Sequence, residues 1–197
     1  MTSPSPRERR RALRVATSRE QILDVAEDLF GHQGYRATSL QQVADRAEFS
    51  VGALYQFFSG KEELLRAVMF RRGGELIERM RAAIDPASAG VANLVALVAA
   101  ISGYFARFPA YGLLTVRLAS PGEDAPSDLG PTGEGFAGAM ALFADVLRAG
   151  QAAGDVRDGD PAALSQLASS MMTAHLQDPA GLPAPEFARI LTAAFAA

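Results

Sequence analysis

The sequence predicts an all-α protein, in which an N-terminal three-helix domain with a helix-turn-helix precedes a larger helical domain. No run of residues alternates apolar and polar side chains as a half-buried strand does. Apolar residues recur at helical spacing instead, through most of the 197 residues. The segment 38–61, TSLQQVADRAEFSVGALYQFFSGK, has the pattern of two short helices joined by a tight turn.

Helices one and two each have one apolar face. Helix one is predicted at about 18–33, and Gly34 can end it. Its apolar face consists of Ile22, Val25, Ala26, Leu29 and Phe30. Helix two follows Ser39, because Ser39 and Gln42 have the spacing of a capping box. Its buried face consists of Leu40, Val43, Ala44 and Ala47.

Helix three is predicted at Val51–Phe57, with Ser50 as its N-cap. Leu54 and Phe58 are spaced to face the core. The residues left largely outward are Val51, Gly52, Ala53, Tyr55 and Gln56.

The outward residues of helix three suit contact with DNA. Gly52 and Ala53 are small, so the helix can approach base edges closely. Tyr55 can reach a phosphate, and the Gln56 amide can pair with adenine in the major groove. Lys61 opens the next helix, close to where a phosphate would lie. The alternative is an ordinary helical hairpin with Tyr55 half-buried at its surface.

The segment from Ser18 to Leu65 resembles the N-terminal domain of TetR-type transcriptional regulators. The matching residues are Thr38-Ser39, Val43-Ala44, Gly52-Ala53-Leu54-Tyr55-Gln56-Phe57-Phe58 and Lys61-Glu62-Glu63-Leu64. The resemblance implies a helix-turn-helix domain at 18–62 and an effector-binding and dimerisation domain at 63–197, and the residues at 1–17 are expected to form a basic flexible arm.

The resemblance also implies a double-stranded DNA operator as partner. The residues expected at its phosphates are Thr38, Ser39, Ser50, Tyr55 and Lys61. Those expected to face its bases are Gln41, Val51, Gly52, Ala53 and Gln56.

Two positions depart from the family pattern. The turn between helices two and three usually holds Gly where this chain has Glu48. A left-handed conformation at Glu48 would cost on the order of 1 kcal/mol, and its carboxylate is expected to point away from phosphates. The recognition helix begins with Val51 instead of a Lys or polar residue, and Val51 can pack on a thymine methyl. Both changes affect which DNA sequence is read, and neither removes the fold.

Charge is distributed unevenly along the chain. Residues 1–81 hold 14 Lys and Arg against 11 Asp and Glu, whereas residues 82–197 hold 5 against 11. The basic residues before Glu20 are Arg7, Arg9, Arg10, Arg11, Arg14 and Arg19. A basic arm here can reach phosphates or the minor groove. The alternative is a solvated, disordered tail, which the Ser and Pro residues at 3–6 favour.

Composition and motifs argue against an enzyme, a metal site and a cofactor. The chain has no cysteine, and its two histidines, His32 and His175, have no ligand-spaced partner. The string GEGFAG at 133–138 matches a dinucleotide-binding pattern, but it follows a Pro- and Asp-rich loop instead of a strand. No nucleophile–base pair is visible. Without a signal peptide or a recognisable membrane span, the expected location is cytoplasmic.

Six further helices are predicted after the helix-turn-helix. The fourth helix of the chain runs from about Lys61 to Ile84, and the pair Gly73-Gly74 can bend it. The others lie at about 91–108, 110–118, 135–153, 161–176 and 186–195, with a loop at 120–132.

Aromatic and flexible apolar side chains of the second domain suggest a ligand pocket, which the resemblance implies among helices four to eight. The candidate lining residues are Tyr104, Phe105, Phe108, Tyr111, Leu114, Met140, Phe143 and Met171. Arg117 is a candidate lone charge oriented into the pocket. The alternative is a plain hydrophobic core.

The last two helices are rich in alanine and apolar residues, and the resemblance implies that they form a four-helix homodimer interface. The alternative is that they only complete the core of the monomer. The expected function is a repressor that a small, largely apolar molecule releases from a near-palindromic operator. Two alternatives stay open: a DNA-binding regulator or activator without an effector, and an all-α small-molecule carrier or enzyme.

Overall fold

The computed structural model describes residues 5–88, 90–119, 126, 129, 133–178 and 181–197, with the backbone alone for residues 6, 9–12 and 134. Within these residues the regular elements are nine α-helices and an isolated antiparallel bridge between Val156 and Ala196. The helices are α1 (Pro6–Gln33), α2 (Leu40–Arg46), α3 (Val51–Leu54), α4 (Lys61–Ala83), α5 (Gly90–Arg107), α6 (Pro109–Leu118), α7 (Glu134–Ala153), α8 (Pro161–Gln177) and α9 (Ala184–Phe195). The predicted all-α fold is confirmed.

Helix α1 begins at Pro6, well before the start predicted at Ser18. The cause is a capping box that the sequence analysis missed. The Ser5 hydroxyl accepts a hydrogen bond from the Glu8 amide, the Glu8 carboxylate accepts one from the Ser5 amide, and Pro6 opens the first turn. Residues 6–17 are therefore helical, and the expectation of a flexible arm is wrong for them. Residues 1–4 of the expected arm lie outside the described residues.

The first three helices and the start of α4 enclose one hydrophobic core. Its fully buried residues include Ile22, Leu23, Ala26, Phe30, Val43, Ala44, Leu54, Leu64, Leu65 and Val68. The apolar faces predicted for helices one to three are the ones that pack here. Val25 and Leu40, which belong to those faces, are half-buried at the edge of the core.

A second core lies among the rest of α4 and helices α5 to α9. Its most deeply buried residues include Met80, Leu94, Leu97, Val98, Tyr104, Leu147, Leu191 and Phe195. By length and composition alone α5 could cross a membrane, although no such span was recognised in the sequence. A buried core helix passes the same test, and α5 packs against α4, α7 and α9.

Helix α6 joins the second domain to α1 through a close backbone contact. A Cβ atom at Gly31 would lie 2.2 Å from the Ala110 carbonyl oxygen, so this approach requires glycine. Arg117 reinforces the contact, because its Nε donates to the Gly31 carbonyl and its Nη2 to the His32 carbonyl, each at 2.9 Å.

Helix α4 joins the two domains directly and is held to α1 by ion pairs, here called the Arg71–Arg72 cluster. Arg71 donates to Glu20 at 2.8 Å and to Glu27 at 2.9 Å. Arg72 donates to the same Glu27 oxygen at 2.6 Å and to Glu75 at 3.0 Å. Glu27 is 5% exposed, so two guanidinium groups compensate the charge of a buried carboxylate.

Helix α7 begins inside the glycine string at 133–138. Gly133 is the N-cap residue and Glu134 is the first residue of the helix. The interpretation of this string as a helix start is therefore confirmed. Most of the predicted loop at 120–132 lies outside the described residues.

Candidate functional site

The helix-turn-helix has the caps and the turn that the sequence predicts. The Ser39 hydroxyl accepts from the Gln42 amide at 3.2 Å, and the Gln42 side chain accepts from the Ser39 amide at 2.8 Å. The Ser50 hydroxyl accepts from the Ala53 amide at 3.1 Å and caps α3. Glu48 has φ of 62°, so it adopts the left-handed conformation whose cost was considered from the sequence. The turn keeps its shape although Glu48 occupies the usual glycine position.

Helix α3 presents the side that was predicted to face DNA. Leu54 and Phe58 are buried, as predicted. The opposite side is exposed at Gly52, Tyr55 and Gln56 and half-buried at Val51 and Ala53. Tyr55 keeps 53% of its surface exposed. The regular helix ends at Leu54 and not at Phe57, because the amides of Gln56 and Phe57 bond three residues back, as in a tighter turn.

Thr38 and Lys61, both expected at DNA phosphates, make internal hydrogen bonds instead. Thr38 is 2% exposed, and its hydroxyl donates to the Gly34 carbonyl at 2.8 Å. The Lys61 ammonium donates to the carbonyls of Tyr35 and Thr38, each at 2.9 Å, and lies 4.3 Å from the centre of the Tyr35 ring. These contacts fix the segment before α2 against the start of α4. Both side chains would have to give up these internal contacts in order to reach the phosphates at which they were expected.

The other polar residues expected at DNA lie on the exposed surface. Ser39, Gln41 and Ser50 are all exposed. The Gln41 amide donates to the Asp45 carboxylate at 2.7 Å, one turn further along α2. This carboxylate makes the end of α2 unfavourable for a phosphate, and Gln41 would have to leave it in order to reach a base.

A cavity of about 680 Å³ lies in the second domain among helices α4 to α8. Its size is within the range of small-molecule sites. Most of its wall is apolar and includes Met69, Ile77, Ile101, Phe136, Met172 and Leu176. Among the described lining residues Arg66 is the charged one, and its side chain is 40% exposed and donates to Glu62 at 2.8 Å. The cavity therefore combines an apolar interior with a charge at its exposed edge.

Four of the nine predicted pocket residues line this cavity, namely Phe105, Tyr111, Met140 and Phe143. Leu114 does not, because it is buried in the first core. Arg117 does not, because its guanidinium is held by the carbonyls at the end of α1. Both were assigned to the pocket because the sequence did not reveal that α6 packs on α1.

The remaining three predicted pocket residues also lie away from the cavity wall. The Tyr104 hydroxyl donates to Glu75 at 2.7 Å, and the Phe108 ring lies 3.8 Å from the Arg72 guanidinium. Both side chains thus belong to the surroundings of the Arg71–Arg72 cluster. Met171 is half-buried and packs against the second core. Aromatic or flexible side chains were the right type of residue, but only the packing decides which of them reach the cavity.

Glycines that shape the cavity wall were not among the predicted pocket residues. Gly73 and Gly74 were interpreted as a bend in the fourth helix, yet both line the cavity. A Cβ atom at Gly73 would lie 3.6 Å from the Tyr111 hydroxyl oxygen, whereas one at Gly74 would meet nothing within 4 Å. Two adjacent glycines inside an apolar helix were the available signal, since glycine weakens a helix and its presence there suggests a packing or binding reason.

Within the part of the chain that the structure describes, no three His, Asp or Glu side chains are grouped to hold a metal ion. The Nδ1 atom of His32 donates to the Asp28 carbonyl, one turn earlier in α1, at 2.9 Å. His175 stacks on Phe187 with ring centres 4.2 Å apart.

Comparison with known proteins identifies the first domain. Residues 22–68 match the family model described as "Bacterial regulatory proteins, tetR family". This range covers most of α1, the helix-turn-helix and the start of α4, and it nearly coincides with the segment that carried the sequence resemblance. The identification of a TetR-type N-terminal domain is therefore confirmed.

The similarity in sequence to characterised proteins is concentrated in the same part of the chain. The HTH-type transcriptional activator FasR of Mycolicibacterium smegmatis is 37% identical over 87 residues, which are 44% of this chain and 38% of FasR. This chain thus spans less than half the length of that relative. Such relatives are transcriptional regulators and not enzymes.

Similarity in structure extends over both domains. A transcriptional regulator from Saccharomonospora viridis, solved in complex with choline, has a TM-score of 0.78 at 18% identity, covering 92% of this chain and 99% of that chain. FadR of Bacillus subtilis, solved in complex with stearoyl-CoA, has a TM-score of 0.74 at 18% identity, covering 88% and 95%. At 18% identity this similarity shows that the fold is shared, and the shared fold includes the second domain.

Proposed function

We propose that this chain, whose N-terminal domain is of the TetR type, is a homodimeric cytoplasmic repressor that a small, largely apolar molecule releases from a near-palindromic operator. The observation that carries the proposal is that an exposed helix-turn-helix and a cavity of about 680 Å³ share helix α4. This helix starts directly after the helix-turn-helix and lines the cavity at Gly73 and Ile77.

Contact with DNA is proposed for the exposed residues of α2 and α3. The hydroxyl groups of Ser39, Ser50 and Tyr55 would bind phosphates. The residues that would face bases are Gln41, Val51, Gly52, Ala53 and Gln56. Arg7 and Arg14, exposed on the N-terminal extension of α1, would add affinity that falls with salt.

The dimer is proposed to form through α8 and α9. Leu167 on α8 is 52% exposed and Ile190 on α9 is 37% exposed, and a second copy of the chain would cover this apolar surface. A two-fold axis at these helices would place the two α3 helices about 34–36 Å apart, one turn of DNA. A near-palindromic operator follows from this symmetry.

A ligand in the cavity would act on DNA binding through α4 and α6, since both helices line the cavity and both pack on α1. It can shift operator affinity only by binding two arrangements of these helices unequally. Complexes of the same fold with choline and stearoyl-CoA support a ligand-binding second domain. FasR is named an activator, so a reporter gene behind the operator must test the proposed repression.

The test is binding of the purified chain to labelled DNA fragments that flank its own coding sequence, over a series of salt concentrations. We expect specific binding that weakens steeply with salt. Tyr55→Ala should weaken it about tenfold, the effect of losing one or more hydrogen bonds to phosphate. Val95→Ala, which shortens an exposed side chain of α5 outside both the helix-turn-helix and the cavity wall, is the control and should keep wild-type affinity.

Two results would contradict the proposal. Weak, sequence-independent DNA binding that Tyr55→Ala leaves unchanged would exclude a specific regulator of this type. A ligand that binds the cavity tightly without changing operator affinity would exclude the coupling between the domains.

A further inference from the structure

The cavity wall carries the hydroxyl group of Tyr111, a largely buried residue whose hydroxyl has no hydrogen-bond partner among the described residues. Tyr111 is 4% exposed and lines the cavity from α6. Tyr104, the neighbouring buried tyrosine, differs because its hydroxyl donates to Glu75 at 2.7 Å. Buried polar groups are bonded in the great majority of cases. The Tyr111 hydroxyl, open to the cavity and unbonded to the described part of the protein, is therefore available to a partner that enters the cavity.

The glycine at position 73 keeps the Tyr111 hydroxyl open to the cavity. A Cβ atom at Gly73 would lie 3.6 Å from the hydroxyl oxygen, in van der Waals contact, so a side chain there would lie against the hydroxyl group. Glycine in the middle of a helix is less stable than alanine. Gly73 therefore makes α4 less stable at the position where a side chain would lie against the Tyr111 hydroxyl.

The other polar groups of the cavity wall are less suited to this role. The Thr115 hydroxyl already donates to the Gly112 carbonyl at 2.8 Å. Ser169 and Thr173 are only half-buried. The charge of Arg66 is at the exposed edge of the cavity, where the guanidinium donates to Glu62. A charged group bound deep in the cavity would lose its hydration without a counter-charge from the described wall.

We propose that Tyr111 donates a hydrogen bond to an uncharged acceptor, such as a ketone or ester carbonyl, in the buried part of an otherwise apolar ligand. The inference rests on the proposed function only in taking the cavity as a ligand site. Burial raises the pKa of the Tyr111 phenol, so the group stays a hydrogen-bond donor at physiological pH.

The test uses two probes of similar shape, benzophenone and diphenylmethane. Benzophenone carries a carbonyl group, and diphenylmethane has a methylene group in its place. Calorimetry on the purified full chain without DNA measures both affinities. We expect benzophenone to bind the wild type about tenfold more tightly, the effect of one hydrogen bond. Tyr111→Phe should remove this preference and leave the diphenylmethane affinity unchanged. Tyr104→Phe, which deletes a hydroxyl outside the cavity, should keep the preference.

Two further comparisons follow. One tests whether the carbonyl of the probe binds beside Gly73, and the other tests whether the cavity favours an uncharged ligand. Gly73→Ala should reduce the benzophenone preference, because the new methyl group lies beside the phenol, while Gly103→Ala, in α5 and outside the cavity wall, should keep it. Benzoylbenzoate, which adds a carboxylate to the benzophenone skeleton, should bind less tightly than benzophenone. Thermal unfolding of each variant shows that it is folded.

Several results would overturn the inference. Equal affinity of the wild type for both probes, no binding of either, or a preference that survives Tyr111→Phe would each exclude the hydrogen bond. Tighter binding of benzoylbenzoate than of benzophenone would exclude the uncharged ligand. Because no DNA is present, a chain that prefers benzophenone but binds no operator would refute the proposed function alone. Operator binding without the preference would refute only this inference.

Discussion

The two domains differ in the way that their functional surfaces are built. The helix-turn-helix surface comes from one segment, 38–61, and its caps and outward residues follow from spacings of three and four residues. The cavity is formed by five helices between Arg66 and Leu176, and its wall depends on how those helices pack. A local surface can thus be derived from a sequence pattern, whereas a surface assembled from distant segments cannot.

The junction between the domains combines two kinds of contact. At Gly31 the backbone of α1 meets the backbone of α6, and the contact depends on the absence of a side chain. At Glu27 the contact between α1 and α4 is ionic and largely buried. Variants at these two positions test whether the domains are stable separately or only together.

The largest effect is expected from Gly31→Ala. The new Cβ atom would lie 2.2 Å from the Ala110 carbonyl oxygen, and neither backbone can move without separating α1 from α6. We expect the free energy of unfolding to fall by about 4 kcal/mol or more, at the upper end of single substitutions. Chemical denaturation measures the change.

The matched control for this variant is Gly74→Ala, where a Cβ atom meets nothing within 4 Å. It should raise the stability of the chain by up to about 1 kcal/mol, because alanine is the better helix former. If Gly31→Ala were as stable as the wild type, the close contact between α1 and α6 would be wrong.

A smaller loss is expected from Glu27→Ala. The substitution leaves Arg71 and Arg72 without the carboxylate that both contact, and both guanidinium groups are mostly buried. Removing one partner of a buried ion pair costs about 3–5 kcal/mol. We expect a loss at the lower end of this range, because Arg71 keeps its contact with Glu20 and Arg72 keeps its contact with Glu75. The measurement is again the free energy of unfolding.

The control for the ionic contact is Glu78→Ala. Glu78 pairs with Arg81 on the exposed side of α4, and exposed pairs contribute little. We expect a stability close to that of the wild type. If both variants lost the same free energy of unfolding, the burial of Glu27 would not explain why its ion pairs stabilise the chain.

Much of the fold could be predicted because the signals are local. The caps at Ser39 and Ser50 and the left-handed Glu48 depend on neighbours within four residues, and all three are present. The start of α1 was also signalled locally, by Ser5 and Glu8, but the surrounding Pro and Ser residues suggested a flexible tail. This error came from giving composition more weight than a capping box.

The rest could not be predicted because it depends on contacts between distant residues. Lys61 binds carbonyls 23 and 26 residues earlier in the chain, and Arg117 binds carbonyls 85 and 86 residues earlier. Both cations were assigned to ligands, phosphate and effector, for lack of a visible partner. The different surroundings of Tyr104 and Tyr111 have the same cause, because the packing of α5 and α6 on α4 places one phenol against Glu75 and the other beside Gly73.

The smallest effect is expected from Glu48→Gly, in the turn where this chain departs from the pattern of TetR-type N-terminal domains. A non-glycine residue in the left-handed region costs about 1–2 kcal/mol, while glycine loses about 0.5–1 kcal/mol more conformational entropy on folding. The two terms nearly offset each other, so the free energy of unfolding should rise by only about 0.5 kcal/mol. Gly154→Ala is the matched reverse change, because Gly154 has φ of 78° and open space around it, and it should lower the stability by a similar amount.

Glu48→Gln separates strain from charge in the same turn. Glutamine keeps the left-handed conformation, so its stability should equal that of the wild type. If the carboxylate points away from the phosphates, operator affinity at low salt should also be unchanged. A marked gain of affinity in both Glu48→Gln and Glu48→Gly would show that the carboxylate repels DNA. The turn would then be a place where the local pattern determines the shape of the DNA-binding surface but not its charge.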